Sequence, residues 1–297
     1  MNKTKKHTIP ESKGRIVFQV FNYVLLIFLA TICFLPLINL GAISFSQPKF
    51  AEAGLVNLFP KGFTTAAYQY IFSNNDLLIA CGNSLLLILI GVPWTLLVTV
   101  LASYPLSRPT NMFIGRKIYI VMIWVCMLFS GGLVADYMLR CSLRLQNNIW
   151  ALILPGVPIF NVILLMNFFR QLPEEFHEAA ELDGADEFYI LLNIYIPLSK
   201  PAMLTILLFT IVDYWNQWLP GIMYMSTIRK MPLQSYLQSV TVNIMDPNIN
   251  NMIDGKNVSQ NTIEAARFFL SVIPMLLVYL PLQKYFIKGL TVGGVKG

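Results

Sequence analysis

Residues 80–106 read ACGNSLLLILIGVPWTLLVTVLASYPL, a stretch without one charged side chain. It exceeds the roughly 20 apolar residues that an α-helix needs to cross the hydrocarbon of a bilayer. A helix on a soluble core would carry charged faces every few residues, whereas this run is interrupted only by Gly82, Gly91, Pro93, Pro105 and uncharged polar groups. The pattern is that of a membrane span. Further long apolar runs lie near residues 17–44, 117–139, 148–169, 199–225 and 263–287, which predicts six transmembrane helices in an all-α polytopic membrane protein. Gly91 with Pro93, Gly131 with Gly132, and Pro155 with Gly156 and Pro158 are expected kink positions. Such breaks fit a protein that changes conformation and also occur in static bundles.

Composition agrees. Of 297 residues 56% are hydrophobic and 12% charged, about half of the roughly 25% charged residues in soluble domains. The first run extends well past the roughly 7–15 residue core of a signal peptide and shows no small-residue cleavage site, so it is expected to stay as an anchor. The net charge of +6 comes from cations at helix flanks, with no basic, aromatic-interleaved surface of the kind nucleic acid requires. Lys3, Lys5, Lys6, Lys13 and Arg15 precede the first run. Arg108, Arg116 and Lys117 lie between the second and third, and Lys288 and Lys296 follow the sixth. Cations near span ends stay on the cytoplasmic side, so both termini are expected inside. Residues 1–16 then form a cytoplasmic segment, 17–287 the transmembrane domain and 288–297 a cytoplasmic tail.

Nothing points to catalysis. Cys33, Cys81, Cys126 and Cys141 lack CxxC spacing and are expected to be free thiols. His7 and His177 are the only histidines, which leaves no histidine-based metal or catalytic site. A GxxxxGK[ST] phosphate loop is absent, so this chain is not expected to hydrolyse ATP. The sequon at Asn257 falls in a predicted outer loop, and such triplets arise by chance.

Acidic chemistry is concentrated in the connection between the fourth and fifth runs, which holds Glu174, Glu175, Glu178, Glu181, Asp183, Asp186 and Glu187. Acids contribute little to the topology rule, so the orientation stands. Pro173 followed by Glu174 and Glu175 reads as a helix start, with acids at the positive end of the helix dipole. The helix should reach about Leu182, with Phe176, Ala179 and Ala180 on one face and Glu174, Glu178 and Glu181 on another. Gly184 then supplies a bend, and Ala185 to Ile196 a second helix ending near Pro197. By pattern alone, a solvated charged loop fits as well.

The literal string narrows the choice. Glu178-Ala179-Ala180, Asp183-Gly184-Ala185 and Ile194-Tyr195-Ile196-Pro197 with Pro201 resemble the EAA loop of permeases in binding-protein-dependent ABC importers. Leu191 departs from that family's pattern, where many members carry Phe. The likeness extends over nearly the whole chain. Tyr214-Trp215-Asn216-Gln217-Trp218, Met231-Pro232-Leu233-Gln234 and the ending Lys288 to Gly297 resemble carbohydrate-uptake permeases, within the branch that serves complex oligosaccharides and polysaccharide fragments. The resemblance implies the type I ABC importer permease fold, with a cytoplasmic coupling helix in which Glu178, Ala179, Ala180, Asp183 and Gly184 dock on a separate ATPase. It implies as partners a second homologous permease, an ATPase dimer and an extracellular sugar-binding lipoprotein, in a bacterial cytoplasmic membrane. No cofactor is expected on this chain; ATP and Mg belong to the ATPase.

A sugar needs a polar route, because a hydroxyl stripped of water without a partner costs about 4–8 kcal/mol on a cyclohexane scale. In the fifth run Asp213, Asn216 and Gln217 share a face by spacing, flanked by Tyr214, Trp215 and Trp218. Amides and a carboxylate suit hydroxyls, and aromatic faces suit pyranose rings. Asp213 equally fits a pair with a group on the partner permease, and the tryptophans fit interfacial anchors. Asn83, Asn161 and Asn167 read as bonds to neighbouring helices, and Arg267 as a cation reaching the interface. The outer segment 226–262, with turn signals at Asp246-Pro247 and Asp254-Gly255, fits a contact with a binding protein or a closure of the outer mouth. A secondary transporter would need several intramembrane ionisable groups, and Asp213 is the only obvious one.

Overall fold

The computed structural model describes residues 13–73, 75–109, 112–154, 156–242 and 258–294. Lys3, Lys5, Lys6, His7, Pro155, Asp246-Pro247, Asp254-Gly255, Asn257 and Lys296 lie outside the described residues. Every described element is helical: α1 Lys13–Ser44, α2 Pro48–Glu52, α3 Ala66–Ser73, α4 Asp76–Ser107, α5 Arg116–Leu128, α6 Gly132–Ser142, α7 Trp150–Ile153, α8 Ile159–Phe169, α9 Glu175–Leu182, α10 Glu187–Leu198, α11 Lys200–Asn216, α12 Leu219–Tyr224, α13 Leu233–Val242 and α14 Gln260–Gly294. A single 3₁₀ turn spans Ile228–Lys230.

Two compact units result. Among the described residues, the first comprises 13–71 and 258–269, the second 72–242 and 270–294. In the first, the residues that follow α1 are fixed by its last turns. Asn39 Nδ2 donates to the carbonyls of Val56 and Asn57 at 3.2 and 2.6 Å, and Ser46 Oγ accepts from the Lys61 amide at 3.0 Å. Phe45 stacks on Tyr68, whose hydroxyl bonds Ser44 at 2.7 Å. Gly41 admits Phe269, which would stand 3.1 Å from a Cβ placed there.

The second unit is organised around α4, against which α8 and α11 pack. This helix stays unbroken through Pro93 and Pro105. Proline φ suits a helix, and in a membrane helix the carbonyl that a proline frees finds other donors. Glycine at positive φ is more disruptive: Gly132 has φ 76°, and α5 and α6 meet at 116°. The fourth run breaks as well, between α7 and α8, where Leu154 is extended and Gly156 to Pro158 are non-helical. Buried Ser199 marks the third break, an 81° bend between α10 and α11.

Among the described residues, α1 from Gly14 and α4 are therefore the unbroken spans by length and composition, and each bent pair can supply one more. The predicted kinks at Gly131-Gly132 and Gly156-Pro158 are present. At Gly91 and Pro93 the helix is continuous, and Gly91 serves there as a contact point for Tyr214. The fifth run ends early: α11 stops at Asn216, Gln217 is extended, and Pro220 starts the short α12.

Candidate functional site

The acidic connection folds on its own local rules. Glu174 holds the N-cap position of α9 without a side-chain cap bond, and Glu175 and Glu178 sit in its first turn, where carboxylates offset the exposed amides. At its other end the Gly184 amide bonds the Glu181 carbonyl and the Ala185 amide the Ala180 carbonyl, each at 3.0 Å. This is the Schellman pattern, which needs a left-handed residue just past the helix, and Gly184 has φ +80°. Asp186 then opens α10 by accepting the Tyr189 amide at 2.7 Å. The expected helix, turn and helix are present, except that α10 runs past Pro197 to Leu198 by way of a π-helical turn, Leu191–Tyr195.

The faces of α9 differ from expectation. His177 is the buried residue, 3% exposed, and Ala180 packs partly against a core of Val100, Leu165, Phe169, Ile190 and Tyr195. Phe176 is 48% and Leu182 89% exposed, and Ala179 is exposed as well. The predicted apolar face is thus split: Ala180 turns to this chain's own core while Phe176 and Ala179 face outward. Glu178, Asp183 and Gly184 are also exposed. All five predicted coupling residues lie within one helix and its cap.

A second arrangement surrounds a cavity of about 730 Å3. Its polar lining comes from Thr95, Arg140, Asn161, Thr210, Asp213, Tyr214 and Gln217, and its apolar lining includes Phe160 and Phe209. The hydroxyls of Tyr214 and Thr95 are bonded at 2.9 Å, and Asn161 Nδ2 donates to Thr210 at 3.3 Å. Gln217 Nε2 reaches the Leu152 carbonyl at 3.3 Å. Arg140 is held in place by its neighbours. Its Nη2 lies 3.3 Å from Asp136, the guanidinium rests 4.7 Å from the centre of the Tyr224 ring, and the Tyr224 hydroxyl donates to the same Asp136 at 2.9 Å. Asp213 makes no ion pair among the described residues.

Of the predicted pathway residues, the fold brings Asp213, Tyr214 and Gln217 to this cavity and leaves Trp215, Asn216 and Trp218 out of its lining. Trp215 is buried in packing and Trp218 is 45% exposed. Sequence reasoning missed Thr95, Arg140 and Asp136. An acid and a base four residues apart inside an apolar run were the available signal for the last two. Asn83 bonds the Arg229 and Met231 carbonyls, at 2.8 and 3.1 Å. The four cysteines are free.

A chain of apolar helices around a polar-lined cavity, with a capped acidic helix beside the core, is suited to moving a polar solute. Residues 85–291 match the family described as the binding-protein-dependent transport system inner membrane component. This chain belongs to that family. It is thus a transporter membrane subunit. Among its relatives, Protein LplC of Bacillus subtilis (strain 168) is 36% identical over 98% of this chain and 99% of its own length. The polygalacturonan/rhamnogalacturonan transport system permease protein YtcP of the same organism is also 36% identical, over 96% of this chain and 100% of its own. A solved structure, described as that of a bacterial ABC transporter involved in the import of the acidic polysaccharide alginate, superposes with a TM-score of 0.85 at 29% identity. The match covers 94% of this chain and 100% of that one. The permease fold expected from the EAA string is therefore the fold present.

Proposed function

We propose that this permease forms one half of the membrane pathway of an ATP-driven importer, and that its cargo is an oligosaccharide or polysaccharide fragment. The observation that carries the reading is the cavity beside α4, α8 and α11, within a chain of this transport family. Amide, hydroxyl and carboxylate groups replace the water around sugar hydroxyls, and the rings of Phe160, Phe209 and Tyr214 suit the apolar faces of pyranoses. The names of the relatives, two of them transporters of acidic polysaccharides, support a sugar cargo.

In this reading α9 is the coupling helix. Glu178, Ala179, Asp183 and Gly184 meet a separate ATPase, with Phe176 and Leu182 as apolar contacts, while Ala180 seats the helix on this chain's own core. A second permease completes the pathway, an ATPase dimer binds ATP and Mg, and a lipoprotein delivers the sugar outside. Both termini of this chain lie in the cytoplasm. Cargo moves by alternating access.

The test is uptake into proteoliposomes holding the whole complex, with labelled oligogalacturonides as the probe and arabino- and galacto-oligosaccharides as competitors. ATP-dependent uptake that vanishes in Glu178→Lys and Gly184→Asp, while the binding protein still holds the probe, is the expected result. Uptake without the ATPase, or uptake that survives both changes, would overturn the coupling reading in favour of a secondary transporter.

A further inference from the structure

Where α4 ends, side chains from three elements meet around one carboxylate. The Tyr104 hydroxyl donates to Glu187 Oε2 at 2.5 Å, and the other oxygen of Glu187 lies 3.7 Å from His177 Nε2. Tyr104 belongs to α4, His177 to α9 and Glu187 to the first turn of α10. Tyr195 packs edge-on against both Tyr104 and His177, with ring centres 5.3 and 6.4 Å apart. Glu187 is thus the polar link between the coupling helix and the long span.

Arg108 stands beside this link without a carboxylate. It caps α4, is 8% exposed, and lies between two tyrosine rings, 4.5 Å from the centre of Tyr104 and 4.2 Å from that of Tyr195. Its Nε and Nη2 are buried and have no hydrogen-bond partner. Aromatic faces hold a cation, but they leave its N–H groups unsatisfied, and a charge-assisted bond to a carboxylate is the stronger arrangement. Arg108 and Glu187 line the same cavity of about 340 Å3, together with Tyr104. Glu187 keeps 60% of its side chain exposed, so it has room to turn.

Two arrangements of the same groups follow. In the one observed, Glu187 joins Tyr104 and approaches His177 while Arg108 rests on the rings. In the other, Glu187 pairs with Arg108 and releases α9 from α4. We propose that Glu187 is the positioning residue through which displacement of α9 reaches α4, by exchanging Tyr104 and His177 for Arg108. This rests on the reading of α9 as the coupling helix. A bistable contact of this kind transmits movement because both ends bias one equilibrium.

The experiment reads the cavity beside α4 and needs no sugar. In the complete complex, with Cys33, Cys81, Cys126 and Cys141 of this chain replaced by serine, Phe160→Cys supplies one thiol in the lining of the large cavity. Its rate of reaction with a membrane-impermeant maleimide is compared in the nucleotide-free complex and after trapping with ATP and vanadate. A change of about fivefold or more is expected in the parent, since the trapped state shifts the population of one access state. Glu187→Gln and Arg108→Gln are expected to hydrolyse ATP at the parental rate and to lose that change, with Arg108→Lys recovering part of it. A purely structural role would lower assembly and hydrolysis together with labelling.

Parental labelling changes in both glutamine variants would overturn the proposal. If either variant also loses hydrolysis, the charge-swapped pair Arg108→Glu with Glu187→Arg decides: recovery of the labelling change supports the exchange, and no recovery overturns it. If the parent itself shows no change on trapping, alternating access fails as the function of the chain, and this proposal falls with it.

Discussion

Tyr214 lies so close to Gly91 that a Cβ on the glycine would stand 2.7 Å from the tyrosine Cζ. Thr95, one turn further along α4, takes the hydroxyl of the same ring at 2.9 Å. Gly91 and Thr95 share a face of α4 because residues four apart are stacked along a helix, so the hydroxyl end of the ring docks against the glycine and bonds Thr95. Overpacking a filled site costs about 1–3 kcal/mol. Gly91→Ala is therefore expected to lower the melting temperature of the purified protein, and Gly91→Leu to lower it further. Tyr214→Phe keeps the packing and removes one hydrogen bond, worth about 1 kcal/mol. A Gly91→Leu protein as stable as the parent would show that this contact is not held.

A second close approach fixes the turn between α12 and α13. Ser235 Oγ donates to the Trp218 carbonyl at 2.7 Å, and a Cβ on Gly221 would fall 2.0 Å from that oxygen. No side chain fits there without breaking the bond. Gly221→Ala is expected to destabilise by about 1–3 kcal/mol, and Ser235→Gly in the same chain to restore part of the loss, since Pro232 still stands 2.9 Å away. The melting temperatures of the two single variants and the double variant check this. Simple additivity would mean that the two sites do not meet.

Apolar runs and glycine pairs made much of this architecture legible. The run at 80–106 is one helix, the Gly131-Gly132 pair is a sharp bend, and Gly184 is a left-handed cap, all properties that neighbouring residues determine. Contacts between distant residues were not legible. Tyr104 and Glu187 are 83 positions apart, and Asp136 and Tyr224 are 88, so no periodicity links them. The burial of His177 was hidden for a different reason. Phe176 and Ala179 give α9 an apolar face by helical spacing, and spacing does not say whether such a face meets its own chain or another. Pro93 does not end its helix, because in a membrane helix neighbouring groups re-satisfy the carbonyl that a proline frees.

The cap of α9 offers a test of backbone conformation alone. Gly184 has φ +80°, and a Cβ there would meet nothing within 4 Å. Any cost of an uncharged substitution is then conformational, about 1–2 kcal/mol for an ordinary residue and less for asparagine, which tolerates this region, whereas Gly184→Asp adds a charge at the docking surface. Uptake and ATPase binding are expected to fall least in Gly184→Asn, more in Gly184→Ala and most in Gly184→Val. An order that followed side-chain volume, with asparagine worse than alanine, would place a crowded partner surface over the cap instead.

Leu182 provides the complementary case, because its side chain contributes almost nothing to the chain that carries it. At 89% exposure it buries little apolar area here, so Leu182→Asp is expected to leave the melting temperature of the isolated permease within about 0.5 kcal/mol of the parent, as for other surface changes. On a docking surface the same residue would be covered. Losing a buried leucine contact costs about 1.5–3 kcal/mol, and a carboxylate forced into an apolar groove adds to that. Affinity for the ATPase subunit, measured by titration in nanodiscs, is therefore expected to fall by about tenfold or more, each 1.4 kcal/mol being one decade. Phe176→Asp, at 48% exposure, should cost the permease some stability as well as affinity. If Leu182→Asp binds the ATPase as tightly as the parent, Leu182 lies outside the contact, and Phe176, Glu178 and Ala179 would have to hold the partner.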